Sequence, residues 1–424
     1  MFLQFKTTMY FASFFLFATV SAIPNGRVHV VFPTVETSRS GEKTLKLRAF
    51  DRDIELNLQP AGEILAKNFG IMDDDHRLFH PVDVKNLQRK LYKNSANGAA
   101  LLIDEDGPVT IEGNINAKVR IAPYESGGMD EAGRIAHWIE EEERDEKAYL
   151  RDDSTYFFNL WQELPPDIDT ENTKRMDREG KCIVIEILSV TDSNFTKRFS
   201  NYEELSEYIT LTYAGVQTIM DTLELGIKLR LIGIHAFTNE TEPPFIESNA
   251  IPGHERYVEY RRVLNSMKRY YCEHDYGLAK DADIIILTND RLLAGWDGGP
   301  NINTNVAGVA IHSGACDQCS KVAVSEHSSS YFIRVIYLTH ETAHSIGIDH
   351  DGGGRSKNCS NGKGGFMGRS DSSLHPTFQN FRDYRDEAFS ECSKENAKYF
   401  LSTSKADCLF EECPNDNITS LFET

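Results

Sequence analysis

One run of twelve residues, His340-Glu341-Thr342-Ala343-His344-Ser345-Ile346-Gly347-Ile348-Asp349-His350-Asp351, places three imidazoles and a carboxylate at spacings that suit metal-assisted hydrolysis. On an α-helix, side chains four apart share a face, so His340 and His344 can direct ring nitrogens at one zinc ion about 2.0–2.1 Å away. Glu341 is rotated one residue round the helix. Its carboxylate stays out of the ligand shell and stands beside the open fourth position, where a general base meets a metal-activated water. The third ligand, His350, requires a chain reversal, and Gly347 supplies it by tolerating the left-handed conformation that ends a helix. Incidental histidines on an amphipathic helix are the bland alternative, and the combined spacing of three His, one Glu and one Gly disfavours it. A structural zinc site is the other alternative. Such sites fill all four positions with Cys or His, and this pattern requires no cysteine.

The run resembles the long zinc signature of the metzincins, and Asp351 directly after the third His is the mark of their reprolysin (adamalysin) branch, which includes snake-venom metalloproteinases and ADAM proteases. The resemblance implies a methionine-containing turn beneath the metal, for which Met367 in Gly364-Gly365-Phe366-Met367-Gly368 stands at a suitable distance. The branch usually carries Cys-Ile-Met there, whereas here Phe366 precedes the methionine. Read without the resemblance, Met367 is one more core methionine. The activity implied is that of a zinc endopeptidase with Glu341 as general base, acting on extracellular proteins such as fibrin(ogen) or matrix proteins. The rival is a catalytically silent secreted protein that binds host haemostatic proteins, and the intact His340, His344, His350 and Glu341 set speaks against it.

The elements that must position these residues begin at Lys181. Cys182–Leu188, Ile227–Ile234, Ile284–Leu287, Val306–Ile311 and Val322–Ser325 read as strands, and Glu203–Leu223 and Tyr257–Tyr271 have helical spacing. Strands alternating with helices predict an α/β layer with a mixed, largely parallel sheet, as the metzincin resemblance also implies. In that resemblance the strand near Gly308 borders the cleft and pairs with an extended substrate; a buried strand with glycine for packing is the plainer reading. Residues 179–412 form the expected catalytic domain.

Residues 1–22 carry Lys6, an apolar run from Met9 to Val20 and small residues at Val20-Ser21-Ala22, the pattern of a secretory signal peptide. No later stretch has the ~20 apolar residues of a membrane span, so a soluble extracellular protein without a membrane anchor is expected. The net charge of −20 argues against nucleic acid as a partner. Asn194, Asn239, Asn358 and Asn417 head N-glycosylation tripeptides.

Residues 23–178 contain no cysteine and read as a mostly β propeptide, with short strands at Val28–Phe32, Leu45–Arg48, Ala99–Ile103 and Val119–Ile121. This region resembles reprolysin propeptides, and Val109–Pro123 with Gly133-Arg134-Ile135-Ala136-His137 looks most like those of tick salivary metalloproteases. The resemblance implies a zymogen whose propeptide inhibits in the same chain, although the cysteine that many such propeptides place on the zinc is missing. After the charge run Glu140–Lys147, Arg175-Met176-Asp177-Arg178 offers a convertase-type cleavage pattern in a linker, or an ordinary basic pair.

All eight cysteines lie from Cys182 onward and allow 105 pairings. In a secreted chain disulfides are favoured over metal or redox chemistry, even for Cys316-Asp317-Gln318-Cys319. By resemblance, Cys316 pairs with Cys408 and Cys359 with Cys392, which leaves Cys182, Cys272, Cys319 and Cys413 unassigned. Residues 413–424 make a short tail, and no disintegrin-like module is expected after the catalytic unit, so target choice falls to the cleft. Ser370–Thr377 resembles the wall of the pocket beyond the scissile bond, or is a surface loop. The resemblance finally implies a structural calcium ion held by Glu186, Asp281 or Asp283, and Glu411, where the plainer reading is surface carboxylates.

Overall fold

The computed structural model describes residues 27–72, 78–116, 118–141, 180–296, 301–304, 306–359, 366–368 and 388–413. The signal stretch, Arg175–Arg178, Ser370–Thr377, Asn417 and most of the Glu140–Lys147 run lie outside them. Eleven strands precede the linker: β1 (Arg27–Val31), β2 (Thr34–Thr37), β3 (Lys43–Ala49), β4 (Arg52–Pro60), β5 (Gly70–Met72), β6 (Leu78–Pro81), β7 (Leu91–Asn94), β8 (Ala99–Asp104), β9 (Thr110–Asn116), β10 (Val119–Pro123) and β11 (His137–Glu141). Nine of these form one antiparallel sheet in the order β1-β11-β10-β9-β8-β7-β4-β3-β2. Period-two alternation explains the strands: in β3, Leu45, Leu47 and Ala49 are buried while Thr44, Lys46 and Arg48 face outward.

The second region supplies β12 (Lys181–Thr191), β13 (Lys228–Ala236), β14 (Ala250–Ile251), β15 (His254–Glu259), β16 (Ile284–Asn289), β17 (Leu292–Trp296), β18 (Ile302–Asn303), β19 (Gly308–Ala310), β20 (Val322–Glu326) and β21 (Phe410–Glu412). Its longer helices are α1 (Tyr202–Met220), α2 (Tyr260–Glu273), α3 (Tyr331–Ser345) and α4 (Glu391–Ser402). The central sheet runs β19-β20-β16-β12-β13-β5-β6, with β21 beside β12. Pairings along its middle, from β20 through β16, β12 and β13 to β5, are parallel, and β19 and β6 close the two edges antiparallel. Thus β5 and β6, which come from the first region, extend the sheet of the second.

Both faces of this sheet are covered, which is why its strands read as continuous apolar runs. In β16, Ile284 and Ile286 join the core beneath α1 and α3, whereas Ile285 and Leu287 point to the opposite core beneath α2. Asn201 caps α1 by accepting from the Glu204 amide at 2.8 Å, and Ser330 caps α3 through the Ile333 amide at 3.3 Å. Four disulfides join Cys182 to Cys413, Cys272 to Cys319, Cys316 to Cys408 and Cys359 to Cys392.

Three boundaries differ from the sequence expectation. The helix expected from Tyr257 starts at Tyr260, because Tyr257–Glu259 pair with Leu292–Ala294 as a strand and the Glu259 carboxylate caps the helix through the Arg262 amide. The helix expected to reach Leu223 ends at Met220 and tightens into a 3₁₀ turn over Asp221–Leu223. The expected Val306–Ile311 strand shortens to Gly308–Ala310, although the Ala307 carbonyl and the Ile311 amide still bond Glu326 and Val322 of β20.

The seat of α3 depends on a close helix approach. A Cβ at Gly215 in α1 would lie 2.7 Å from both Tyr331 Oη and Val335 Cγ2 of α3, and Tyr331 donates to the Leu211 carbonyl at 2.7 Å. Gly215→Val therefore overpacks the contact and is expected to cost ~2 kcal/mol or more. Urea unfolding checks this, and an unchanged midpoint contradicts the assignment.

Candidate metal centre and active site

The last turns of α3 present His340 and His344, and the chain then reverses. Gly347 takes φ +83°, and its amide bonds the His344 carbonyl at 2.9 Å, a left-handed helix end. A Cβ there would press on Phe400 and Ser313 at 3.0 Å, so space as well as conformation requires glycine. The reversal brings His350 to the other two rings. The three Nε2 atoms form a triangle with sides of 3.0, 3.0 and 3.3 Å.

Three nitrogens of tetrahedral zinc at 2.0–2.1 Å lie about 3.3 Å apart, so the triangle has the size of a three-histidine ligand face. His344 fixes its own tautomer: Nδ1 donates to the Ile348 carbonyl at 2.8 Å, which leaves the Nε2 lone pair aimed into the triangle. A cation is the group that such a set of convergent lone pairs would hold. Zinc is the cation for which three imidazoles with one open position are the common catalytic arrangement.

Several contacts hold the third ligand. Asp349, directly before His350, meets His312 Nε2 at 3.1 Å and accepts from the Arg355 amide at 2.7 Å. Asp351, directly after it, is buried, and burial raises its carboxyl pKa above the usual range; it accepts from Ser390 Oγ at 2.6 Å. Ser390 in turn caps α4, which carries Cys392 of the bond to Cys359. Met367 is wholly buried, and its carbonyl accepts from the Asp351 amide at 2.8 Å. Phe366, where the family usually has isoleucine before the methionine, packs its ring 6.3 Å from that of His340 and 4.9 Å from that of Phe389.

Glu341 is 2% exposed and lies across the backbone of β19: a Cβ at Gly308 would sit 2.7 Å from its carboxyl carbon and closer still to one oxygen. The glycine is thus the space in which the carboxylate stands. The same loop that follows β19 bonds the end of α3, with the Ser313 amide on the His344 carbonyl at 2.9 Å and the Ala315 amide on Ser345 at 3.0 Å.

Away from the triangle, Glu186, Asp283 and Glu411 come together while Asp281 is exposed. Arg230 stands among them. Its guanidinium holds Glu411 through two bonds of 2.8 and 2.5 Å and Glu186 at 3.3 Å. Asp283 accepts from the Glu186 amide at 2.8 Å, and burial pushes its carboxyl up to about 7. Cys316 and Cys408 also approach Asp283, but their sulfurs are bonded to each other. Of the glycosylation candidates, Asn239 and Asn358 are exposed and Asn194 is half-buried.

Sequence reasoning missed His312 and Arg230. Neither belongs to a spacing pattern, since each meets its carboxylate partners only through the fold. Gly308→Ala tests the carboxylate's seat directly: it should keep full zinc content and lower the peptide-hydrolysis rate by ~10²–10⁴, the usual contribution of a general base. Metal analysis beside a rate assay checks it, and an unchanged rate contradicts the seat.

Comparisons with known proteins agree with this geometry. Residues 298–413 match the model of the reprolysin (M12B) family zinc metalloproteases, and residues 206–351 match the metallo-peptidase family M12B reprolysin-like model. The chain is 46% identical over 414 residues to the venom metalloproteinase antarease-like TtrivMP_A of Tityus trivittatus, covering 95% of this chain and 98% of that one. It is 44% identical over 416 residues to the venom metalloproteinase antarease TserMP_A of Tityus serrulatus, with the same coverage. Against the venom metalloproteinase BumaMPs1 of Olivierus martensii it is 34% identical over 405 residues, or 94% of this chain and 96% of the relative. These relatives are scorpion venom proteins, which refines the tick-like look of the propeptide. With near full-length identity of this order and the family's own model over the metal centre, the chain belongs to the reprolysin (M12B) family of zinc metalloproteases and is a metalloendopeptidase.

Proposed function

We propose that the protein is secreted as a zymogen and, after cleavage in the linker near Arg178, hydrolyses peptide bonds of extracellular proteins in an extended conformation. The observation that carries this reading is the histidine triangle with Glu341 lodged against Gly308 beside it. Zinc bound by His340, His344 and His350 supplies a Lewis acid that polarises the scissile carbonyl and acidifies water. The Glu341 carboxylate is placed to take a proton from water as its oxygen adds to the carbonyl carbon, and to give that proton to the amine as the C–N bond breaks. Strand β19 offers a sheet edge for an extended peptide, since only its β20 side is paired among the described residues. Fibrin(ogen) or matrix proteins are the proposed substrates on the strength of the resemblance. A silent binding protein has no use for a buried glutamate held beside three convergent imidazoles.

Glu341→Gln should retain fold and zinc yet lose gelatin hydrolysis by several orders of magnitude, and a zinc chelator should stop the wild type. Near-normal turnover by the pure, processed variant refutes the assignment of the base.

The calcium reading fits less well. Arg230 already supplies a cation to Glu186 and Glu411, so the carboxylates that the resemblance assigns to calcium are partly compensated from within the chain. We infer that calcium adds nothing to the wild type, whereas Arg230→Met uncovers a carboxylate cluster that calcium stabilises. Melting temperature at fixed ionic strength, with and without millimolar calcium, is the measurement. A calcium-dependent rise in wild type that Glu186→Ala removes would restore the calcium site.

A further inference from the structure

In a chain of net charge −20, the stretch from Arg256 to Arg269 gathers five cations: Arg256, Arg261, Arg262, Lys268 and Arg269. The last four stand on α2. The apolar face of that helix is spent on the core, where the wholly buried Val263, Leu264 and Met267 join Val309 of β19 and Val324 of β20. Helical pitch sorts the cations to the other side. Arg262 and Arg269, seven residues apart, lie on one face about 10 Å from each other along the axis, and Arg261 and Lys268 repeat that spacing beside them. Arg262 and Arg269 are exposed, while Arg261 and Lys268 are half-buried along their stems. Glu273, the last residue, is the one acidic side chain of the helix.

Other cations of the protein are matched by carboxylates: Lys93 meets Asp221 at 2.6 Å, Arg291 meets Glu247 at 2.6 Å, and Arg198 bonds Asp290. Among the described residues Arg256, Arg262, Lys268 and Arg269 form no ion pair. A solvated helix face ordinarily mixes both signs, whereas this one is cationic for two turns. Three of the four cations on the helix are arginines, whose planar forks are weakly hydrated and bind oxyanions through two parallel bonds. A straight row of such forks suits a linear polyanion laid along the helix. Repulsion from the rest of the chain is screened beyond ~10 Å at 0.1 M salt, so a ligand dense in charge can meet the row at close range. A membrane-surface helix carries exposed Trp, Phe or Leu among its cations; here the exposed positions are Arg262, Asn265, Arg269 and Glu273. The helix packs on β19, the strand that carries Gly308 against Glu341, so the row rides over the same edge of the sheet as the cleft.

We propose that the outer face of α2, through Arg261, Arg262, Lys268 and Arg269, is an exosite for a linear sulfated polysaccharide of the extracellular matrix. Binding there concentrates the protease on the matrix with its cleft at the same edge of the molecule. The attraction is electrostatic, so it weakens steeply as salt rises. The exosite stands apart from the hydrolytic reading, because binding is measured without turnover.

The test measures binding of the full chain to immobilised heparin at ~0.1 M salt. Arg262→Glu combined with Arg269→Glu should weaken binding ~10-fold or more, since it reverses two charges of the row. Lys228→Glu combined with Lys398→Glu changes the net charge equally at two exposed positions elsewhere and should leave binding within ~2-fold. Circular dichroism checks the fold of both, and Arg262→Gln with Arg269→Gln replaces the first pair if charge reversal unfolds the helix. No binding by wild type, equal losses in the two double variants, or no loss in either overturns the proposal. So does equal affinity for phosphatidylserine vesicles or polyglutamate at the same salt, which makes the partner a membrane or an acidic protein instead.

Discussion

Three imidazole lone pairs directed at one point, with nitrogens 3.0–3.3 Å apart, repel one another until a cation enters, and the structure around them holds them there. Each ring is fixed by a different means. Helix α3 fixes two by its pitch, the Ile348 carbonyl fixes the tautomer of His344, and the Gly347 reversal brings in His350. The carboxylates on either side of His350 are tied to separate elements, Asp349 to His312 and the Arg355 amide, and Asp351 to Ser390 and the Met367 carbonyl. The unfolded chain has no such convergence, so the free energy of metal binding is also free energy of folding. That coupling explains why buried polar groups concentrate here: Glu341, His344, Asp349, His350 and Asp351 are all under 9% exposed. Burial of a polar group costs stability unless it is hydrogen-bonded or paired, and the contacts just named offset that cost for His344, Asp349 and Asp351.

Much of this centre was legible in the sequence because its geometry is local. Helical pitch and one left-handed glycine decide the positions of His340, Glu341, His344 and His350, and both can be read from spacing. The fold class was legible for a similar reason, since Ile284–Leu287 of β16 and Val322–Val324 of β20 show as apolar runs when both faces are covered. Arg230 illustrates the opposite case. It sits on a strand between leucines and reads as a solvent-facing alternate residue; only the pairing of β13 with β12, and of β21 with β12, brings it between Glu186 and Glu411. His312 likewise reaches Asp349 through tertiary structure alone.

The largest illegible feature is the join between the two regions. Gly70-Ile71-Met72 is three residues long, too short for any periodicity, and it is recruited into the sheet because β13 presents an unfilled parallel edge. The lack of cysteine before Cys182 suggests two regions with different jobs. Disulfide content follows a different constraint from core content: cross-links tie loops near the metal and the C-terminal segment, while the apolar core is shared across the linker.

The shared core runs from β5 at one edge of the sheet to Ala343 of α3 and to Met367, so the first region and the metal centre rest on one apolar body. An inhibitor that also completes the core cannot leave without destabilising what it inhibited, because losing it exposes an edge strand and several fully buried side chains at once. Support by strand addition needs only backbone amides and apolar side chains, and these are what β5 and its flanks contribute from a region, residues 23–178, that holds no cysteine.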